Sequence, residues 1–110
     1  MEMNESIRLA ILTGAGKSFC SGAALSWMKK LKDYSHDENI KDSEKLSELF
    51  LVMNRFSRPL IGKVGGWALG GGVGLISTCD YVIAVDSAKL GLTEVLLGLV
   101  PAVIAPYVIA

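Results

Sequence analysis

Two glycine-rich turns and one carboxylate are the groups in this sequence best suited to chemistry. The segments SGAAL (residues 21–25) and LGGGVG (residues 69–74) are each predicted to follow a strand and to precede a helix. Small residues in such turns let two backbones approach while their N–H groups stay free to face a ligand. Two N–H groups that converge on one point would form an oxyanion hole, which stabilises the negative oxygen of an enolate. The alternative, which composition alone favours, is that these glycines only permit close packing of helices on strands.

A phosphate-binding loop is the first competing interpretation, because Gly16-Lys17-Ser18 lies between a predicted strand and a predicted helix. The P-loop motif needs a glycine where this chain has Ile11. The dinucleotide-binding fingerprint needs a glycine where the chain has Phe19. No GxSxG nucleophile motif is present either. Nucleotide binding by these routes is therefore not expected.

The elements that must position these groups are predicted from apolar patterning and from Gly, Pro and capping residues. The predicted strands are Ile7–Leu12, Leu60–Val64, Asp80–Val85 and a brief fourth within Lys89–Leu92. The predicted helices are Ala24–Lys32, one from an Asp42 or Ser43 cap to Phe56, a short buried one within residues 68–79, a turn over Thr93–Leu97 capped by Thr93, and one that begins at Pro101. This order predicts an α/β fold whose strands are buried on both faces.

Composition limits the classes of partner. The chain has 110 residues, enough for at most one domain, and its 11 basic and 11 acidic residues give no net charge. We therefore expect no nucleic-acid partner. We also expect no membrane segment, because the uncharged stretch Val95–Ala110 is short and interrupted by prolines. Two isolated cysteines and the absence of a signal peptide favour a cytoplasmic location. A metal site is not expected, because His36 has no partner ligands nearby in the sequence.

Three segments resemble, in order, the signature segments of the crotonase superfamily, the enoyl-CoA hydratases and isomerases. They are LTGAGKSFCSGAAL, RPLIGKVGGWALGGGVGLISTCDYVIA and AKLGLTEVLLGLVPAVIAPYVIA. The closing TEVLLGLVPAVIAPYV is most similar to the branch with methylglutaconyl-CoA and carboxygeranoyl-CoA hydratases, which act on branched acyl-CoA esters in leucine and terpenoid breakdown. The resemblance implies a partial crotonase-like (ββα) spiral core of parallel strands and packed helices. Residues 1–110 would be its central segment, with the N- and C-terminal parts absent.

The resemblance also implies roles for individual residues. The backbone N–H groups of Ala23 and Gly71 would form the oxyanion hole, and Glu94 would be the acid/base carboxylate. The substrate would be an acyl-CoA thioester, with coenzyme A as part of the substrate and with neither a separate cofactor nor a metal. Full-length relatives would be homotrimers or hexamers. The residues expected to contact the substrate are Ser21, Ala24, Leu25, Trp67, Gly70, Gly74 and Thr93.

Departures from the family pattern leave several functions open. Gly74 stands where many hydratases have a second glutamate, and Ala24 stands where an aspartate is usual. A single glutamate suits an isomerase, which moves one proton between two carbons, but it also permits hydration if Glu94 handles both proton transfers. Hydration of an α,β-unsaturated acyl-CoA is our first hypothesis, with a branched, methylglutaconyl-like acyl group as one option, and isomerisation is the second. The third is a non-catalytic fragment or degenerate copy.

Length is the largest departure, because family domains are more than twice as long as this chain. We therefore expect the isolated chain to have little or no hydratase activity. We also expect it to expose apolar surface along Pro59–Ala110.

Overall fold

The computed structural model describes residues 4–22 and 25–110 and has an α/β architecture with two small parallel sheets. In chain order the elements are β1 (Ala10–Thr13), α1 (Leu25–Leu31), α2 (His36–Asn54), β2 (Leu60–Val64), β3 (Ala68–Leu69), α3 (Gly71–Ser77), β4 (Tyr81–Ala84), β5 (Leu90–Gly91), a 3₁₀ turn (Thr93–Leu97) and α4 (Ala105–Ile109). Within the described part of the chain, no helix is both long enough and apolar enough to cross a membrane.

The larger sheet has the strand order β1-β2-β4, with both pairs parallel. Central β2 alternates between buried and more exposed residues, and Leu60, Gly62 and Val64 are its buried members. Asp80 fixes the entry to β4, because its Oδ2 accepts a hydrogen bond of 2.7 Å from the Leu60 N–H. The sequence predicted three strands here, with β2 at its observed bounds, β4 one residue too long at each end and β1 three residues too early at its start.

The prediction that all strands are buried on both faces is wrong for β1 and β4. The residues of β1 alternate between half-buried and exposed, and every residue of β4 is exposed, with Tyr81 at 72%. Both strands lie at the edges of the sheet, where each has one neighbouring strand among the described residues. The expected apolar surface in the second half of the chain is confirmed. Its large exposed members are Trp67, Tyr81, Val82, Ile83, Val85, Leu90, Val95, Leu96, Leu99, Val100 and Ile109.

The smaller sheet pairs β3 with β5 and brings the first glycine-rich turn to the second. The Leu69 N–H donates to the Cys20 carbonyl (2.8 Å), and the Gly70 N–H donates to the Gly91 carbonyl (2.8 Å). Chain segments around residues 20, 69 and 91 therefore lie side by side. A strand of two residues is too short to leave a periodic signal, and β3 was accordingly missed in the sequence.

Three helix starts differ from the sequence predictions. Helix α2 begins at His36, because Ser35 and Glu38 form a reciprocal capping box, rather than at Asp42 or Ser43. The 3₁₀ turn has Leu92 as its N-cap residue instead of Thr93, and no side chain caps it. Helix α4 begins at Ala105, so Pro106 and not Pro101 occupies its first turn.

The core forms where α3 packs on its neighbours. Val64, Ala68 and Ile76 make one buried cluster, against which Phe19 and Ala88 pack. On the other side of α3, Phe50 of α2 and Ile104 are 2% and 4% exposed. The core therefore fixes α3 between the sheets and α2, and the first turn of α3 carries the second glycine-rich segment.

Candidate functional site

A largely apolar cavity of about 770 Å³ opens beside the first turn of α3. Helices α1 and α2 supply one wall, and the segment from Thr93 to Ile104 supplies another. The lining residues are Cys20, Ser21, Gly22, Trp27, Met28, Leu31, Ser43, Leu46, Leu49, Phe50, Leu69, Gly70, Gly71, Leu75, Thr93, Glu94, Leu96, Leu99, Val100, Pro101, Ala102, Val103 and Ile104. Residues of both glycine-rich turns and Glu94 therefore line the same cavity.

Glu94 brings a carboxylate into this apolar space from the 3₁₀ turn. The side chain is half-buried, and its Oε2 is a buried atom without a hydrogen-bond partner among the residues that the structure describes. A buried carboxylate oxygen normally has a partner, because leaving it unpaired costs free energy. The Oε2 atom therefore has no partner among the described residues that would compete with a bound ligand for a hydrogen bond.

The carboxylate of Glu94 lies close to Gly70, a residue without a side chain. Its φ of 54° and ψ of −120° belong to a region that L-residues with a side chain rarely adopt. A Cβ added there would lie 3.1 Å from Glu94 Oε1 and 3.5 Å from Thr93 Oγ1. The missing side chain thus lets the Glu94 carboxylate approach the backbone that begins α3.

Gly71 offers a backbone donor in the same cavity as that carboxylate. As the first residue of α3, it has no acceptor within the helix for its N–H. The backbone hydrogen bonds of the described residues give this N–H no other acceptor. Gly71 also lines the cavity, so a polarised ligand oxygen could accept its hydrogen bond.

The remaining residues predicted for the site divide into three groups. Ser21 and Thr93 line the cavity together with Gly70, Gly71 and Glu94. Ala23 and Ala24 lie outside the described residues, and Leu25 is described only as the first residue of α1. The cavity therefore contains five of the predicted residues.

Trp67 and Gly74, which were expected to contact substrate, do not line the cavity. Trp67 is 49% exposed, and Lys89 Nζ lies 5.4 Å from the centroid of its ring. Gly74 is buried on the side of α3 that faces Ile104 and Phe50. A Cβ at Gly74 would lie 2.8 Å from Ile104 Cβ and 3.0 Å from Phe50 Cε1. Core side chains therefore fill the space that a larger residue at this position would need.

Sequence reasoning missed most of the apolar wall. Leu46 and Leu49 belong to the apolar stripe of α2, and both line the cavity and are partly exposed. Leu96, Leu99 and Val100 were assigned no role, and they form the opposite wall. A helical apolar stripe looks the same whether it faces a core or a cavity, so the sequence holds no signal that separates the two.

Comparison with known proteins identifies the family of the chain. All of residues 1–110 match the family model described as enoyl-CoA hydratase/isomerase. The chain therefore belongs to this family, which is the crotonase superfamily expected from its motifs.

Individual relatives show how much of a family member the chain spans. It is 38% identical over 96 residues to a crotonyl-CoA hydratase of Syntrophomonas wolfei, covering 86% of this chain and 36% of that protein. It is 36% identical over 96 residues to a 2,3-dehydroadipyl-CoA hydratase of Escherichia coli, covering 87% of this chain and 36% of that protein. A crystal structure of an enoyl-CoA hydratase from Shewanella pealeana superposes with a TM-score of 0.93 at 41% identity, covering 97% of this chain and 40% of that one. The chain thus spans about two fifths of the length of such relatives.

Proposed function

We propose that this chain carries the acid/base carboxylate and both oxyanion-hole donors of an enoyl-CoA hydratase. The observation that supports this most strongly is the buried, unpartnered Glu94 Oε2 beside Gly70 and Gly71 in an apolar cavity. Family membership supplies the substrate class, an α,β-unsaturated acyl-CoA thioester. In this proposal the N–H groups of Gly71 and Ala23 bind the thioester oxygen.

The proposed hydration uses Glu94 for both proton transfers. The carboxylate removes a proton from water as the water oxygen bonds to the β-carbon, and the electron pair of the double bond moves toward the thioester oxygen. The two backbone N–H groups stabilise the resulting enolate. Protonated Glu94 then gives the proton to the α-carbon, and the enolate returns to the thioester. The net change is the addition of one water across the double bond.

Isomerisation is the second candidate, because Glu94 is the one carboxylate among the described residues that line the cavity. A single base can remove a proton from the γ-carbon, which gives a dienolate whose oxygen binds the same two N–H groups, and can return the proton to the α-carbon. Hydration consumes water and yields a 3-hydroxyacyl-CoA, whereas isomerisation leaves the mass unchanged and shifts the double bond. Product analysis therefore separates the two.

Low turnover is part of the proposal. Leu96 and Val100 line the cavity and are 81% and 80% exposed, so water reaches the apolar wall from one side. Electrostatic stabilisation of an enolate weakens when water enters the site. The test therefore needs protein at the concentration of the substrate rather than at catalytic amounts.

The experiment incubates the chain with an equal amount of crotonyl-CoA and identifies the products by mass spectrometry. We expect slow formation of the hydrated thioester, which Glu94→Gln abolishes. Glu48→Gln, on the exposed side of α2, is the matched control and should behave as the wild type. Conversion that survives Glu94→Gln would overturn the proposed role of this carboxylate. Thermal stabilisation by acetoacetyl-CoA is a second readout, and its absence would favour a non-catalytic chain.

A further inference from the structure

The Thr93 hydroxyl is a polar group of the cavity that the proposed proton transfers leave unused. Thr93 precedes Glu94 in the chain and is half-buried, and both residues line the cavity. Two other hydroxyl side chains that line it, those of Ser21 and Ser43, belong to exposed residues. Thr93 therefore places a hydroxyl in a less exposed position, next in sequence to the carboxylate.

Gly70 locates this hydroxyl relative to the carboxylate. A Cβ built on Gly70 would lie 3.1 Å from Glu94 Oε1 and 3.5 Å from Thr93 Oγ1. Both oxygens therefore lie beside the place that a side chain at residue 70 would occupy, and the glycine leaves that place open. Because all three residues also line the cavity, a small molecule there has the two oxygens close to one point.

The two groups do not satisfy each other's hydrogen-bonding capacity. Thr93 Oγ1 makes no hydrogen bond to Glu94 or to any other residue that the structure describes. Glu94 Oε2 is likewise without a partner in the described part of the chain. A water molecule near two such oxygens can donate one hydrogen bond to each of them. The hydroxyl and the carboxylate are therefore suited to bind the two protons of one water molecule.

We propose that Thr93 is a further catalytic residue, whose hydroxyl orients the water that Glu94 deprotonates. This inference rests on the proposed function. One proton of the water passes to Glu94 as the water oxygen bonds to the β-carbon, and the other proton donates a hydrogen bond to Thr93 Oγ1. With both protons held, the lone pair of the water is directed at the β-carbon, and such orientation of a reactant raises the rate. The second proton stays on the oxygen, which becomes the 3-hydroxyl group of the product, so this hydroxyl also donates to Thr93 Oγ1.

A binding experiment tests the contact without requiring turnover. 3-Hydroxybutyryl-CoA and butyryl-CoA differ only in the 3-hydroxyl group, and titration calorimetry with the 110-residue chain gives the ratio of their affinities. Thr93→Val removes the hydroxyl at nearly equal side-chain size, whereas Thr93→Ser retains it. We expect the ratio to fall about fivefold in Thr93→Val, because one hydrogen bond is lost, and to be retained in Thr93→Ser. A ratio unchanged by Thr93→Val, or reduced equally by Thr93→Ser, would overturn the inference.

The rate of hydration separates a catalytic role from a structural one. At saturating crotonyl-CoA, Thr93→Val should hydrate the substrate about tenfold more slowly than the wild type, while its affinity for butyryl-CoA stays the same. Thr93→Ser should recover most of the rate. Equal losses of rate and of butyryl-CoA affinity in Thr93→Val would indicate a structural role and contradict the inference. A wild-type rate in Thr93→Val would refute the inference alone, whereas a wild-type chain that does not hydrate crotonyl-CoA would refute the proposed function and, with it, this inference.

Discussion

Replacing Gly70 by alanine should disturb both the backbone and the carboxylate that lies against it. The backbone angles at Gly70 (φ 54°, ψ −120°) are unfavourable for any residue with a Cβ, at a cost of about 1–3 kcal/mol. The added Cβ would also lie 3.1 Å from Glu94 Oε1, closer than an ordinary van der Waals contact, so the carboxylate must shift by a few tenths of an ångström. Because displacement of a reacting group by about 1 Å can cost about 100-fold in rate, we expect this smaller shift to slow conversion by about tenfold.

Gly98→Ala is the matched control for the backbone term. Gly98 also has a positive φ of 71°, but a Cβ there would meet nothing within 4 Å. Its cost should be limited to about 1 kcal/mol of backbone strain. Urea unfolding measures the stability of both variants, and stoichiometric conversion of crotonyl-CoA measures the effect on the site. If Gly70→Ala lost no more stability than Gly98→Ala and converted substrate at the wild-type rate, the contact between Gly70 and Glu94 would have no functional meaning.

Three further predictions concern the scaffold. Ser35→Ala removes the capping box of α2 and should lower the free energy of unfolding by about 1 kcal/mol in urea titrations; an unchanged midpoint would contradict the capping role. Gly74→Glu should lower the free energy of unfolding by about 3 kcal/mol or more, because the new side chain meets Ile104 and Phe50. The double variant Gly74→Glu/Ile104→Ala should recover part of that loss. Equal stability of the single and double variants would refute the steric account. Burial, followed by the charge of Asp80, raises the pKa of the Cys79 thiol. The Cys79 thiol therefore ionises at a lower pH in the unfolded chain than in the folded one. The free energy of unfolding should accordingly fall as the pH rises above about 8.5. Cys79→Ala should lessen this fall, and an identical pH profile would contradict the assignment.

Local signals in the sequence were enough to predict the α/β class and most elements. Leu60–Val64 is bounded by Pro59 on one side and Gly65 on the other, and its bounds were predicted as observed. The start of α2 was missed, because Asp42 and Ser43 looked like caps, whereas Ser35 and Glu38 hydrogen-bond each other's backbones. Capping depends on which competing residue finds a partner, and this is decided by the fold rather than by residue type.

The candidate site was less predictable than the fold. The association of Glu94 with the second glycine turn came from the resemblance, and the structure adds the contact at Gly70 that explains how they meet. Trp67 and Gly74 do not line the cavity, and no local pattern in the sequence records which residues of so short a segment face a cavity. The edge strands β1 and β4 were expected to be buried, because the sequence shows that a strand is apolar but not whether it has two neighbours.

The most direct measurement of the central claim is an NMR titration of the glycine-labelled chain with acetoacetyl-CoA. The chain has 12 glycines, so ¹⁵N labelling of this residue type gives a simple amide spectrum. If the Gly71 N–H binds the thioester oxygen beside Glu94, its amide resonance should move most, and Gly70 should move with it. Gly16 and Gly65, which are exposed and lie outside the cavity, should stay in place. A saturating titration that leaves the Gly71 amide unmoved would contradict the account.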